Sequence, residues 1–312
     1  MKQFLLKCLF FVVIMFLLSI AMELIITSGL RSSEARLFKS WNQILKGDVN
    51  ADVIIIGNSR AYRSFNPIVM SDILKSTVWN LGMDAYSFNI NKWKYDAYIK
   101  YNKKPKLIII NVDHATLSKS SIGYERKQFL PYLKEEPFQN TYMLNGFDKG
   151  SFYLPLYKYF GYPKLITMGI QESLKIKHYN DKEINGFWED RHSWSGEALE
   201  NLNDIGMRIT MNKDSSVVSE FKNFVINNTQ EGISVILVWT PIQKKALTVL
   251  SNNLANRDYF RKISEELGVE FLDYSDDSIC DDVNNFANAV HMNNNGSYIF
   301  SKILSNDIKN KY

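Results

Sequence analysis

Five short runs rich in β-branched residues recur along this chain, at 53–56, 77–79, 107–112, 234–238 and 269–272, with amphipathic stretches between them. Runs of this length, alternating with helical patterns, argue for a parallel sheet covered by helices. The helical stretches are 67–74, 89–101, 216–230 and 252–267; Gly232 and Gly268 stand where a helix C-cap and a following strand would put them. The order is β-α-β-α-β, a break, then α-β-α-β-α. A chain of 312 residues with 46% hydrophobic and 22% charged content can bury a core of that size, which argues against disorder.

The break, about 116–214, lacks strand periodicity and is heavy in aromatics, as in "YLPLYKYFGYPK" and "GFWEDRHSWSG". It is too long for an ordinary connection and reads as an insertion with helices of its own. Its aromatics form either a small core of the insertion or a rim that faces substrate.

Upstream of the first strand, "CLFFVVIMFLLSIAMELII" (8–26) follows Lys2 and Lys7 and is close to the ~20 apolar residues that cross a bilayer as a helix. Ser19-Ile20-Ala21 has the small-x-small form of a cleavage site, but the apolar run continues to Ile26, which favours an uncleaved anchor with Glu23 near the interface. The division is then an N-terminal transmembrane helix over 1–30, a polar linker over 31–50, and one domain over 51–312. Arg31, Arg36, Lys39 and Lys46 follow the helix and by the positive-inside rule favour a cytoplasmic body. The lysine-bearing start favours export, and export is the expectation adopted.

A net charge of +4, with scattered Lys and Arg, gives no basic patch for nucleic acid. Cys8 and Cys280 are the only cysteines, and Cys8 lies within the apolar run, so neither a disulfide nor a zinc cluster can be read from them. None of the four histidines is paired at a metal-ligand spacing, so no metal is expected.

Two places carry chemistry. In "DVIIIGNSRAYRSFNP" (52–67), Ser59 follows the first strand at the sheet's carboxyl edge, where ligands of open parallel sheets bind. A serine there is either a helix cap or a nucleophile. In "NNFANAVHMNNNGSYIFSKIL" (284–304), His291 stands before the last helix, placed to reach back over that edge.

"IIIGNSRA", "WNLGMDAYS" and "FANAVHMNNNGSYIFS" together resemble the first, second and last blocks of the SGNH/GDSL hydrolase superfamily. The branch is that of membrane-anchored proteins similar to DltD and to partner proteins of polysaccharide O-acetyltransferases. The resemblance implies a flavodoxin-like three-layer α/β sandwich. It makes Ser59 the nucleophile, His291 its base and Gly82 an N–H donor that joins Ser59 in the oxyanion hole. The third-block donor falls on Asn111 or Asp113, of which an ionised Asp113 cannot donate. Asn58 replaces the usual aspartate of the first block, and Asn58 and Arg60 are taken as substrate-binding. The acid expected three residues before the histidine is Asn288. An asparagine there can accept the imidazole N–H but cannot balance an imidazolium. Asp281 and Asp282 are the alternatives.

The function implied is a membrane-anchored, extracytoplasmic serine acyltransferase or esterase that acts on acyl groups of a cell-surface polysaccharide, without a cofactor, beside a multi-spanning membrane O-acyltransferase. A tethered esterase of small esters and a non-catalytic glycan-binding accessory protein are the other readings.

Overall fold

Every β-branched run folds as a strand, within a residue or two of its expected bounds. The computed structural model describes residues 1–139, 141–181 and 183–309. Its helices are α1 (Lys2–Ser32), α2 (Arg36–Lys46), α3 (Ser59–Ser64), α4 (Pro67–Leu74), α5 (Phe88–Tyr101), α6 (Thr141–Gly146), α7 (Lys149–Tyr153), α8 (Pro163–Ser173), α9 (Glu197–Asp204), α10 (Ser215–Gln230), α11 (Asn253–Leu267) and α12 (Asn294–Lys309). The strands are β1 (Val53–Ile56), β2 (Val78–Asn80), β3 (Leu107–Asn111), β4 (Glu183–Ile184), β5 (Phe187–Trp188), β6 (Ser234–Trp239) and β7 (Glu270–Asp273).

The chain divides into two compact units, Met1–Gln43 with Ile122–Asp181, and Ile44–Ser121 with Lys182–Tyr312. The second holds a five-stranded parallel sheet in the order β2-β1-β3-β6-β7. This is a three-layer α/β architecture, with the order reversing between β1 and β3. That reversal opens a crevice at the carboxyl edge, the usual ligand site of such sheets. Successive residues of β1 and β3 face opposite layers. Ile54, Ile55, Ile56, Ile108, Ile109 and Ile110 are all wholly buried, as a sheet covered on both faces requires.

One face carries Val53, Ile55, Leu107, Ile109, Ile236 and Val238 against Phe65, Met70, Phe300 and Leu304 of the segment from α3 to α4 and of α12. On the other, Phe88 and Tyr95 of α5 meet Phe221 and Phe224 of α10, the Phe88–Phe221 centroids 4.8 Å apart at 68°. Each such ring contact adds about 0.5–1.5 kcal/mol to the burial term.

The first unit is built on α1, along which α8 packs so closely that a Cβ on Gly29 would lie 1.8 Å from the Gly169 carbonyl oxygen. Residues 31–50, expected as a linker, instead carry α2. Its Trp41 is buried against Phe129, Tyr132 and Phe138, and Asn42 donates to the Leu30 and Ser33 carbonyls. The aromatic stretch 116–214 is therefore divided. Residues 122–181 cluster with α1, while 182–214 belong with the sheet and include the β4–β5 hairpin that the periodicity did not reveal. Among the described residues, α1 alone is long and apolar enough to cross a membrane, with a mean hydropathy of 2.8.

Candidate active site

β1 is followed by Gly57, where φ is +155° and an added Cβ would strike Ala61 and Asn111 at 2.8 and 2.9 Å, so only glycine lets α3 start against the end of β3. Asn58 caps α3, its Oδ1 accepting from the Arg60 N–H at 3.0 Å. The cap is therefore Asn58, and Ser59 is the first helical residue with its hydroxyl engaged elsewhere. Ser59 Oγ lies 2.8 Å from His291 Nε2. Both side chains are half-buried.

His291 reaches that position from a tight loop. Phe286 and Met292 pair as an antiparallel bridge, and the Ala287 N–H donates to the His291 carbonyl at 2.9 Å. Asn288 sits inside this loop, and its Nδ2 lies 3.1 Å from His291 Nδ1. Its Oδ1 accepts from the backbone N–H groups of Val290 and His291 at 3.1 and 3.0 Å. Two N–H donors fix which end of the amide is oxygen. Asn288 therefore donates to Nδ1, where the sequence led us to expect that it accepts. With the Nδ1 lone pair so occupied, neutral His291 carries its proton on Nε2 and donates it to Ser59 Oγ. Asp281 pairs with Lys244, and Asp282 caps the turn at Asn284; neither is bonded to the imidazole.

Burial, followed by the charge of Arg63, lowers the His291 pKa from 6.5 to about 4. Arg63 lies one turn after Ser59 on α3 and is held by Asp190 at 2.7 Å and Asp84 at 3.3 Å. This trio, which sets much of the field at the imidazole, went unnoticed in the sequence. The i, i+4 spacing of Ser59 and Arg63 was the available signal.

Other assignments change. The Gly82 N–H donates to Asn80 Oδ1 at 2.8 Å and so is already committed, not free for an oxyanion. A Cβ at Gly82 would meet the Tyr62 nitrogen at 2.6 Å, so close packing on α3 accounts for the glycine. Asn58 and Arg60, expected to bind substrate, are both engaged by groups of the protein itself. The Asn58 amide donates to Asp113 at 2.7 Å, while Arg60 is 2% exposed and donates to the Thr240 carbonyl.

Asp113 is wholly buried. Burial favours its neutral form, but His114, Arg60 and the N–H donors of Asn58 and Ala115 outweigh this and hold the carboxyl below its usual range. An ionised carboxylate only accepts, which removes Asp113 as an oxyanion donor. Asn111, at the end of β3, remains. Its Oδ1 accepts from Thr240 at 3.0 Å, and its Nδ2 is buried without a hydrogen-bond partner among the described residues.

A polar cavity of about 320 Å³ runs along the loop after β5 and the residues after His291, lined among others by Asp190, His192, Trp194 and Asn293. A larger cleft of about 510 Å³ lies between α5 and α10; neither Ser59 nor His291 lines either cavity.

No family model matches the sequence, and no curated protein matches it at a significant level. Among solved structures, the chain is similar to a protein assigned to the lipolytic G-D-S-L family from Desulfitobacterium hafniense DCB-2. The identity is 14%, over 81% of this chain and 97% of that one, with a TM-score of 0.39. A likeness this distant assigns no role to any residue, and the site stands on its own geometry.

Proposed function

We propose that this protein is a membrane-anchored serine esterase or acyltransferase of the SGNH type. Its acyl group, most simply acetyl, is carried on a cell-surface polysaccharide, and its body lies outside the cytoplasm. The single observation that carries the reading is the 2.8 Å contact between Ser59 Oγ and His291 Nε2 at the sheet's carboxyl edge. In the reaction, Ser59 Oγ attacks the acyl carbon and its proton passes to His291 Nε2. Asn111 Nδ2 is the side-chain donor available to the oxyanion. Collapse expels the alcohol, which takes the proton from Nε2 and leaves an acyl-serine. Water, or a glycan hydroxyl deprotonated by the same nitrogen, then receives the acyl group.

The base must present a lone pair at Nε2, so the reaction runs through the tautomer that Asn288 disfavours. Turnover is accordingly slow. The cavity beside the loop after β5 suits a sugar, since Trp194 offers a face to C–H groups and the asparagine amides offer partners to hydroxyls. A multi-spanning O-acyltransferase would deliver the acyl group across the bilayer; no nucleic acid or cofactor is needed.

The test is replacement of Ser59 by alanine. Hydrolysis of small acetyl esters by the purified protein should fall by about 10³-fold or more, and the O-acetyl content of the surface glycan should change in the same strain. Unchanged ester turnover together with unchanged glycan acylation would leave a glycan-binding accessory role.

A further inference from the structure

We propose that the segment from Tyr153 to Phe160 is a second membrane contact, a loop that inserts into the lipid headgroup region beside the anchor helix. The inference rests on the reading of α1 as a membrane span. From Phe4 to Ile25, α1 presents apolar side chains to the outside, a length of about 30 Å at about 1.5 Å per residue, which equals the hydrocarbon thickness of a bilayer. The level of Glu23 to Thr27 is therefore the level of the lipid headgroups.

Three bonds fix the loop at that level. The Leu156 N–H donates to Glu23 Oε2 at 2.8 Å, Lys158 Nζ pairs with Glu23 at 3.1 Å, and the Tyr159 hydroxyl bonds Thr27 at 2.8 Å. Glu23 and Lys158 are both buried, and separating such a pair leaves an uncompensated buried charge, which holds the loop to the helix. Leu156 adopts φ +63°, a left-handed conformation costly for leucine, and the bond from its N–H to Glu23 helps to hold it there. This turn sends the neighbouring side chains outward. Phe160 is 85% exposed, Tyr153 78%, Leu154 54% and Tyr157 45%, four large exposed apolar or aromatic side chains within eight residues. Exposed Lys149 and Lys164 flank them. Aromatic rings with adjacent lysines, beside the end of a spanning helix, match the interfacial zone of an anionic bilayer.

The full chain, carrying Cys8→Ser so that only the buried Cys280 remains, is reconstituted in vesicles of phosphatidylethanolamine and phosphatidylglycerol. A nitroxide is attached at Phe160→Cys or, in a separate preparation, at Val12→Cys. Collision with oxygen and with a water-soluble nickel chelate gives the depth of each label. The expected result is a deep label at 12 and a label at 160 within about 5–10 Å of the headgroup boundary. A deep label at 12 with a label at 160 as open to the chelate as in free solution would overturn the loop contact and spare the anchor. Chelate access at 12 would overturn the anchor and the loop contact with it. A label at 160 immobilised and reached by neither reagent would show protein, not lipid, covering the loop, and would also overturn the proposal.

Discussion

The chemistry at residue scale turns on one amide. Asn288 spends its oxygen on the N–H groups of Val290 and His291 and presents its NH₂ to the imidazole, which selects the tautomer with the proton on Nε2. Aspartate at 288 could accept from the same backbone groups and from Nδ1–H, freeing the Nε2 lone pair toward Ser59. In serine proteases the opposite exchange, acid to amide, costs about 10⁴-fold. Asn288→Asp should therefore raise turnover of small acetyl esters by about 10²-fold or more. A loss of activity in the aspartate variant would refute the tautomer argument. The pH profile gives an independent check. With its folded pKa depressed to about 4, His291 remains neutral well below the usual histidine range, so the acid limb of kcat/KM should lie near pH 4 and not near 6.5. The linkage runs the same way. The unfolded imidazole takes up its proton first, so the contribution of neutral His291 to stability is full above about 6.5 and is lost as pH falls toward 4. In Asn288→Asp the added carboxylate should move the acid limb upward.

At the scale of elements, α3 and α12 deliver the two halves of the site, and both are held by close backbone contacts. Gly296 in the first turn of α12 lies against the turn that carries Asn285; a Cβ there would be 2.0 Å from the Asn285 carbonyl oxygen. Gly296→Ala must push α12 away from the loop that aims His291. It should cost about 1–3 kcal/mol in a thermal or denaturant melt and lower ester turnover by more than the lost stability explains; a melt and a rate both equal to the parent's would mean that the helix yields freely. This is also the scale at which the sequence is most and least readable. The strands and the longer helices declare themselves because a buried parallel strand is β-branched and a covering helix keeps its 3.6 period. α3 is six residues long and ends where Asn66-Pro67 starts α4, so it has no period to detect. Ser59 and His291 are legible from residue type and place in the chain order. The commitments of Gly82, Asn58 and Arg60 are not, because each depends on a partner distant in sequence or on a neighbour's lone pair, and neither leaves a periodic trace.

For the whole molecule, the proposed anchoring by α1 turns on the side of the membrane on which the sheet unit is placed. Arg31, Arg36, Lys39 and Lys46 follow the apolar run 8–26, against Lys2 and Lys7 before it, and the positive-inside count alone would keep the body in the cytoplasm. That count governs short loops, however, and a long folded body translocates largely regardless of its charge. A surface polysaccharide meets the Ser59–His291 site only on the outside. Protease added to intact spheroplasts should therefore digest the region beyond α1 and leave a small fragment that contains the anchor. Protection of 52–312 in intact spheroplasts, with digestion only after lysis, would place the body in the cytoplasm. In that outcome the ester chemistry argued at Ser59 could stand while the surface glycan fell as its substrate, because the two rest on separate observations: one on a hydrogen bond, the other on a side of the bilayer.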